Sequence, residues 1–491
     1  MNLKKLVSSC KTIATQGSLD IDIEGVCYDS KKCSQNFVFV AIRGLSEDGN
    51  KYISNAVNKG AVAIVSDRPV EESFKGRVYV RVDDTRKALS IISNEFYKWP
   101  SERIRVIGVT GTNGKTSTTY FLKQIFENSG KRIGLIGTLG AQFENMNRKL
   151  VNTTPESLDI QMLLSEMDYL GAEYVVMEVS SQGVDMGRID HITFREGIFT
   201  NLTQDHLDYH KTMEKYYTAK KKFLQMPTDF LVVNRDNIYG ERFLSEAGDQ
   251  AARIISYGSG DEVEVKLRNI VYNSDSVEFS LLIEDKQLDF ITNLAGEFNI
   301  YNVSGAILVA LQEGIEFESI YESVKKLNNV PGRMQKVDTR GQFQVVIDYA
   351  HTPDGLYNVL SALRKSCKGR LITVFGAGGD RDRDKRSIMG EIVSKMSDIC
   401  IVTSDNPRWE NPDRIIEDIL KGVSKTNKEY KVISDRYEAI REGISLAQKN
   451  DIILVAGKGH EIWQSIKGVN HPFDEKEIVI HLAEEKFGIN K

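Results

Sequence analysis

From about residue 104 onward, short apolar runs alternate with amphipathic stretches, a rhythm that predicts βα units built on a mostly parallel sheet. IRVIGVTG reads as a strand entering a glycine-rich turn, and TNGKTSTTYFLKQIFENSG as the helix after it, ending near Gly130. RIGLIGT, EYVVMEVS, EGIFTNL and DFLVVN read as further strands. Residues 263–294 change character: apolar and polar positions alternate around turn-like NSDS and EDKQ, which predicts a small antiparallel meander with one face in water. Two helices then lead to Pro331-Gly332, a turn-forming dipeptide and a natural boundary. Beyond it FQVVIDYA, RLITVFGAGG, DICIVTSDNP, YKVISD and DIILVAGKGHE restart the βα rhythm as a doubly wound, Rossmann-like sheet with loops at the strand C-termini. Upstream, FVFVAIRG and AVAIVSD flank a helical YISNAVNKG, and this block closes near Trp99-Pro100. The expected class is therefore α/β in three domains, 1–99, 100–331 and 332–491. The length agrees, since 491 residues at roughly 150 per domain give about three cores.

Composition narrows the function classes more than the fold. The net charge of -5 provides no overall positive field for nucleic acid or an anionic membrane, so anionic ligands must be bound locally. Cys10, Cys27, Cys33, Cys367 and Cys400 are odd in number and contain no CxxC pair, which argues against a disulfide framework and a structural zinc site. The start MNLKKLVSSCKT has no apolar core of a signal sequence, and no run of 18 apolar residues occurs, so a cytoplasmic protein without membrane insertion is expected.

The strongest chemical signal is Gly111-Thr112-Asn113-Gly114-Lys115-Thr116, between an apolar strand and a helix. Glycines admit backbone N–H groups close to phosphate oxygens, the helix start adds favourable dipole, Lys115 is expected as a surface loop cation, and Thr116 can ligate magnesium. A strict Walker pattern would need glycine at Val109, which is absent although Gly108 is adjacent. Glu178, at the end of EYVVMEV, stands where a carboxylate could reach the same metal; a solvated loop glutamate is the competing reading. The polar run Asn201 to His210 follows another apolar strand, and spacing alone leaves its histidines open between ligand, acid and anchor. Three loops of the last block, 376–382, 404–408 and 457–461, each follow a strand and point to one pocket. There Arg381 and Arg408 suit carboxylates, and Glu461 suits an ammonium group.

Taken together, TGTNGKTS (110–117), TTPES (153–157), MEVSSQ (177–182), NLTQDHLDYH (201–210), GEFNIYN (296–302), PGRMQ (331–335), DYAHTPD (348–354) and GGDRD (378–382) resemble the Mur ligase family over nearly the whole chain. Their order and spacing are similar to its diaminopimelate-adding branch. The resemblance implies an N-terminal domain for UDP-N-acetylmuramoyl-L-alanyl-D-glutamate, a central ATPase and a C-terminal domain for meso-diaminopimelate. It implies an ATP-dependent amide ligase of peptidoglycan precursor synthesis that works through an acyl phosphate, with two magnesium ions, as a cytoplasmic monomer. Thr116 and Glu178 match ligands of one metal, and His206 and Lys220 those of a second, Lys220 carried as a carbamate; read without the resemblance, Lys220 in YYTAKKKF belongs to a solvated basic face. Gly111 to Ser117, Asn302, Arg333, Asp348 and His351 match ATP contacts. Ser30, Leu45, Ser46, Glu47, Asn152, Thr153, Thr154, Ser180 and Arg188 match contacts to the UDP-linked dipeptide. Arg381, Asp405, Asn406, Pro407, Arg408, Gly457 and Glu461 match contacts to diaminopimelate. The chain departs from the family pattern at Gln182, where His is frequent, and at Met186, where Gln is common.

Three alternatives stand beside this reading. An L-lysine-adding member would share the architecture. Folylpolyglutamate synthase relatives share the phosphate loop but would lack the N-terminal block and the DNPR string. A nucleotide-binding switch protein would explain TGTNGKTS and leave the last block's pocket without a purpose.

Overall fold

The computed structural model describes residues 1–44, 47–69, 76–273, 276–339, 342–426 and 428–487. Leu45 and Ser46, expected at the nucleotide substrate, lie outside the described residues. Three sheets follow one another along the chain. The first, in the order Thr12–Gln16, Val78–Val82, Ala63–Ser66, Phe37–Val40, Gly25–Cys27, is parallel except for its antiparallel edge strand Thr12–Gln16. The helix Thr85–Phe96 covers it, with Asp84 accepting from the N–H groups of Arg86 and Lys87 as an N-cap. Lys98 and Trp99 then take left-handed backbone (φ 58° and 52°), and Pro100 opens a short 3-10 turn that carries the chain into the central unit.

The central sheet has a parallel middle, Arg253–Gly258, Phe230–Asn234, Phe194–Phe199, Arg105–Thr110, Tyr174–Glu178 and Ile133–Gly137, in that spatial order. Arg105–Thr110 and Tyr174–Glu178 are almost fully buried, as strands covered on both faces must be, and they run as apolar strings for that reason. The meander expected over 263–294 is present as Val265–Tyr272, Val277–Ile283 and Lys286–Thr292. It does not stand apart: Val265–Tyr272 pairs with Arg253–Gly258 and extends the same sheet. At the other edge a hairpin, Gly140–Phe143 with Met146–Arg148, adds antiparallel strands that apolar periodicity did not reveal.

The third sheet runs Gln335–Val337, Gln344–Asp348, Ile452–Ala456, Leu371–Phe375, Ile399–Val402, Tyr430–Val432, parallel apart from its first strand. Ile452–Ala456 lies between Gln344–Asp348 and Leu371–Phe375, so the loops after the neighbouring strands emerge side by side. A second unanticipated hairpin, Trp463–Ile466 with Val469–Pro472, sits over one of them. No described helix is long and apolar enough to cross a membrane.

One buried cation secures the loop after Leu371–Phe375. Arg386, with no exposed side-chain surface, grips Glu410 with both terminal nitrogens (3.0 and 2.8 Å), and also reaches Asp418 (3.1 Å) and Gly378 O (3.2 Å). Burial pushes the Asp418 carboxyl up, but Lys421, Arg383 and Arg386 together outweigh it and hold it at about 2. Arg386→Met is expected to destabilise the protein by roughly 3 kcal/mol, the low end for breaking a buried pair because the abandoned carboxylates keep some contact with water. A depressed carboxyl stabilises fully above its unfolded pKa and loses that contribution as pH falls toward the folded value. The gap in urea midpoint between wild type and variant should therefore be full at pH 7 and shrink below about pH 4; a gap that stays constant into acid would remove these carboxylates from the account.

Candidate active site

The turn after Arg105–Thr110 ends at Gly114, and the helix Lys115–Asn128 starts at once. Space as well as backbone demands both glycines: a Cβ at Gly111 would lie 1.9 Å from Thr200 Oγ1, and one at Gly114 (φ +88°) would lie 2.3 Å from Asn302 Oδ1. Asn113 N donates to Asn201 Oδ1 (2.9 Å), and Asn113 Nδ2 donates to Asp354 Oδ2 (2.8 Å) across from the C-terminal unit. The turn is thus clamped from two sides with its amides at a helix N-terminus, the arrangement that receives a phosphate.

Lys115 was expected at the surface. Its Nζ instead folds onto the turn, donating to Gly111 O and Thr112 O (both 2.9 Å), and burial together with Arg333 pushes its pKa down against the pull of Glu178 and Asp205. Lys220 departs further from a solvated basic face. On the helix Met213–Leu224 it is 1% exposed, while its neighbour Lys221 pairs with Glu246 (2.7 Å). Lys220 Nζ donates to the same Gly111 O (2.8 Å) and to Thr110 Oγ1 (3.3 Å). Burial, then the charge of Lys115, holds it well below the ordinary lysine range. Two amines on one carbonyl oxygen crowd positive charge against the turn.

Glu178, 1% exposed, ends its strand as expected and accepts from Thr116 Oγ1 (3.0 Å), Thr138 N (2.7 Å) and Thr138 Oγ1 (3.2 Å). His206 has left-handed backbone (φ 55°), and burial lowers its pKa to about 4, which leaves a neutral imidazole. Asp205 beside it stands 3.5 Å from His206 Nε2, 3.9 Å from His351 Nε2 and 3.4 Å from Lys385 Nζ. Burial works against the Asp205 charge, yet His206, Lys385 and His351 hold the carboxyl below its usual range. Among the described residues no group of three or more His, Cys, Asp or Glu is placed to hold a metal. An all-protein cage is therefore absent there, but a threonine hydroxyl and a carboxylate 3.0 Å apart are the hard oxygen donors that suit magnesium, which keeps several waters and leans on substrate phosphates. His206 and Lys220 as encoded offer an imidazole and an amine, a poor magnesium set until an anionic oxygen is added.

Thr154 ties the next wall together: its Oγ1 donates to Glu178 O and accepts from Ser180 N (both 2.9 Å), and its O accepts from Arg188 (3.0 Å). Arg188 also faces Glu156 (3.0 Å), which pairs with Arg86 of the N-terminal unit (2.9 Å). In the C-terminal unit Asp348 accepts from Met334 N (2.6 Å) and Ala350 N (2.7 Å), and the Arg333 guanidinium lies 4.4 Å from the centre of the Tyr349 ring. Arg408 has left-handed backbone (φ 51°) and donates to Gly379 O (2.8 Å); burial, then the neighbouring Arg381, pushes its pKa down. Gly457 (φ +120°) lets Asp405 close in, since a Cβ there would lie 2.2 Å from Asp405 Oδ2. Glu461 Oε2 accepts from Asn406 Nδ2 (2.8 Å) and Lys458 Nζ (3.0 Å).

A single cavity of about 1560 Å3 runs along these elements. Gly114 to Ser117, Thr112, Asn113, Glu178, His206, Asn302, Arg333, Asp348 and His351 line it, with Asn152, Thr153, Thr154, Ser180, Arg188, Gln182, Arg381, Arg408 and Glu461. The structure does not bring every expected residue to it. Ser30 is buried in the 3-10 turn Ser30–Lys32 of the N-terminal unit, and Glu47 accepts from Tyr52 (3.1 Å); both stand apart from the lining, as does Met186. Asp405, Asn406, Pro407, Gly457 and Gly111 lie behind it as supports, and Lys220 behind the phosphate turn.

Comparison with known proteins matches three successive stretches of the chain. Residues 22–97 match the Mur ligase family catalytic domain, 109–310 the Mur ligase middle domain, and 332–459 the Mur ligase glutamate ligase domain. The chain is 44% identical over 489 residues (99% of this chain, 100% of the relative) to the UDP-N-acetylmuramoyl-L-alanyl-D-glutamate--2,6-diaminopimelate ligase 1 of Clostridium acetobutylicum. The chain belongs to the Mur ligase family. It is also 44% identical over 470 residues (96% of each chain) to the diaminopimelate ligase of Caldanaerobacter subterraneus. A solved structure of a UDP-N-acetylmuramoyl-L-alanyl-D-glutamate--2,6-diaminopimelate ligase superposes with a TM-score of 0.68 at 29% identity, covering 99% of both chains.

Within this Mur ligase several contacts at the site join residues that no local sequence pattern links. Asp205 and Lys385 meet although 180 positions apart, and Asn113 and Asp354 although 241 apart. Lys458, with no exposed side-chain surface, joins Asn406 and Glu461. In the GKGHE loop, which carries Gly457 and Glu461, a lysine between two glycines after a buried strand is the sequence clue to Lys458.

Proposed function

We propose that this enzyme is an ATP-dependent ligase that joins meso-2,6-diaminopimelate to UDP-N-acetylmuramoyl-L-alanyl-D-glutamate during peptidoglycan precursor synthesis. The observation that carries the reading is the single cavity lined both by the phosphate turn and by Arg381, Arg408 and Glu461. Two polyanions and an amine can meet there. The glutamate carboxylate attacks the γ-phosphorus of ATP and ADP leaves. The amine then attacks the acyl carbon of the resulting acyl phosphate, phosphate leaves, and the amine gives up a proton. Lys115 offsets charge on the transferring phosphoryl group, and the amides of the turn orient it. Asn302, Arg333, Asp348 and His351 are assigned to ATP. Asn152, Thr153, Thr154, Ser180 and Arg188 are assigned to the UDP-linked dipeptide, with Ser30 and Glu47 for its nucleotide end.

Magnesium, when bound, supplies charge neutralisation between phosphate oxygens; Thr116 and Glu178 would hold one ion. A second would need Lys220 as a carbamate beside His206, and the shared carbonyl of Gly111 gives the physical motive: adding carbon dioxide to an amine replaces a surplus cation with an anion. The assignment of units is 1–99 to the UDP precursor, 100–331 to ATP and 332–491 to the amino acid, in a cytoplasmic monomer.

The test is phosphate release with the UDP-linked dipeptide against a panel of amino acids. Diaminopimelate differs from L-lysine by a distal carboxylate, which the half-buried Arg408 fork can bond; lysine would set a second cation against it. At about 1.5 to 3 kcal/mol per charge-assisted bond, lysine should be disfavoured tenfold or more. Arg408→Ala should raise KM for diaminopimelate by a similar factor with KM for ATP unchanged, and equal use of both amino acids by wild type would overturn the choice of substrate.

A further inference from the structure

Glu461 is assigned above to an ammonium group of the incoming amino acid, and it lines the cavity. A carboxylate at the end of a loop is a reliable acceptor only if something holds it, and here the holding group is a second cation from the same loop. Lys458 follows Gly457 directly after the buried strand Ile452–Ala456, and its side chain is wholly enclosed. Its Nζ donates to Glu461 Oε2 (3.0 Å) and to Asn406 Oδ1 (3.0 Å). Asn406 closes the triangle, with Nδ2 donating to the same Glu461 Oε2 (2.8 Å) and Oδ1 also accepting from Ser465 N of the hairpin (2.8 Å). The orientation of the Asn406 amide follows from these partners: its oxygen faces two donors and its nitrogen faces a carboxylate.

From this geometry we infer that Lys458 is a positioning residue for amino-acid recognition, acting through Glu461. It fixes one carboxylate oxygen, Oε2, against the loop wall, so that the other oxygen is offered to the substrate's ammonium group. It also locks Asn406, and so the loop that carries Arg408, to Glu461. One buried cation therefore joins the group assigned to an ammonium and the loop assigned to a carboxylate. Without Lys458, the Asn406 amide is left as the donor to Glu461 Oε2, and the loop loses one of its internal ties.

This inference rests on the amino-acid pocket proposed above, and a double-mutant cycle separates the two. Lys458→Met, Glu461→Gln and the double variant are compared with wild type for KM of diaminopimelate and of ATP, after thermal unfolding has established that each is folded. Lys458→Met should raise KM for diaminopimelate about tenfold with KM for ATP unchanged. In the Glu461→Gln background the same change should add less than about twofold, because the carboxylate it positions is gone. Equal factors in the two backgrounds, or no rise on Lys458→Met alone, would overturn the inference while leaving the pocket in place. No rise on Glu461→Gln would overturn the pocket assignment of Glu461 and the inference with it. Should Lys458→Met fail to fold, Lys458→Gln, which keeps one donor toward Glu461, takes its place with the same non-additive result expected and the same additive result fatal.

Discussion

Lys220→Ala is expected to reduce ligation by on the order of a thousandfold while the fold remains, and a short carboxylate such as acetate supplied in solution should restore part of the activity. The motive is geometric. Lys220 Nζ lies behind the phosphate turn, 1% exposed, and donates to two uncharged oxygens, one of which already accepts from Lys115. As an ammonium it would crowd a second positive charge against that turn. As a carbamate it would present oxygens toward the region of His206, a neutral imidazole. Alanine removes the anchor and leaves a gap the size of the side chain, which a small carboxylate can enter. Full activity in the variant would defeat the assignment, and so would intact-mass measurement under carbon dioxide that finds no labile added mass on wild type.

Lys115→Ala should reduce phosphate release about a hundredfold or more, with the variant still folded. At an effective dielectric of about 20, a unit charge near 4 Å from a phosphoryl oxygen interacts by about 4 kcal/mol, so even partial realisation in the transition state suffices for a loss of this size. In the structure Nζ rests on Gly111 O and Thr112 O, both reachable from the position a phosphate would take, so the lysine exchanges carbonyl partners for phosphate ones without leaving the turn. The loss should appear in kcat as well as kcat/KM, since the charge it answers grows during transfer. A folded variant with near-normal turnover would remove the phosphate role from Lys115.

The phosphate turn was legible in the sequence because strand, glycines and helix are contiguous, and so was the C-terminal pocket, because its loops follow strands that read as apolar strings. Lys220 was legible only by resemblance. Three consecutive lysines look solvated when read singly, yet the helix period sets Lys220 in line with Tyr216, Phe223 and Leu224, all buried, and that register distinguishes it from Lys221 and Lys222. The hairpin Trp463–Ile466 with Val469–Pro472 escaped because its four-residue strands are too short for alternation to register, although Lys467-Gly468, both with positive φ, is a two-residue turn of the expected kind. The hub at Asp205 escaped for a different reason: its partner Lys385 comes from another unit, and no local pattern encodes a contact across so much chain.

That distance has a consequence for how the enzyme comes into being. The phosphate turn can form as soon as its own sheet folds, but its opposing clamp, Asn113 to Asp354, and the bridge from Asp205 to Lys385 wait for residues 241 and 180 positions further along. Contacts of such separation form late, after each unit has collapsed on its own. During synthesis the turn therefore spends an interval with no opposite wall, and the last-made third of the polypeptide closes the chamber, so that a ribosome stalled before residue 385 would hold a folded phosphate loop with nothing for it to do.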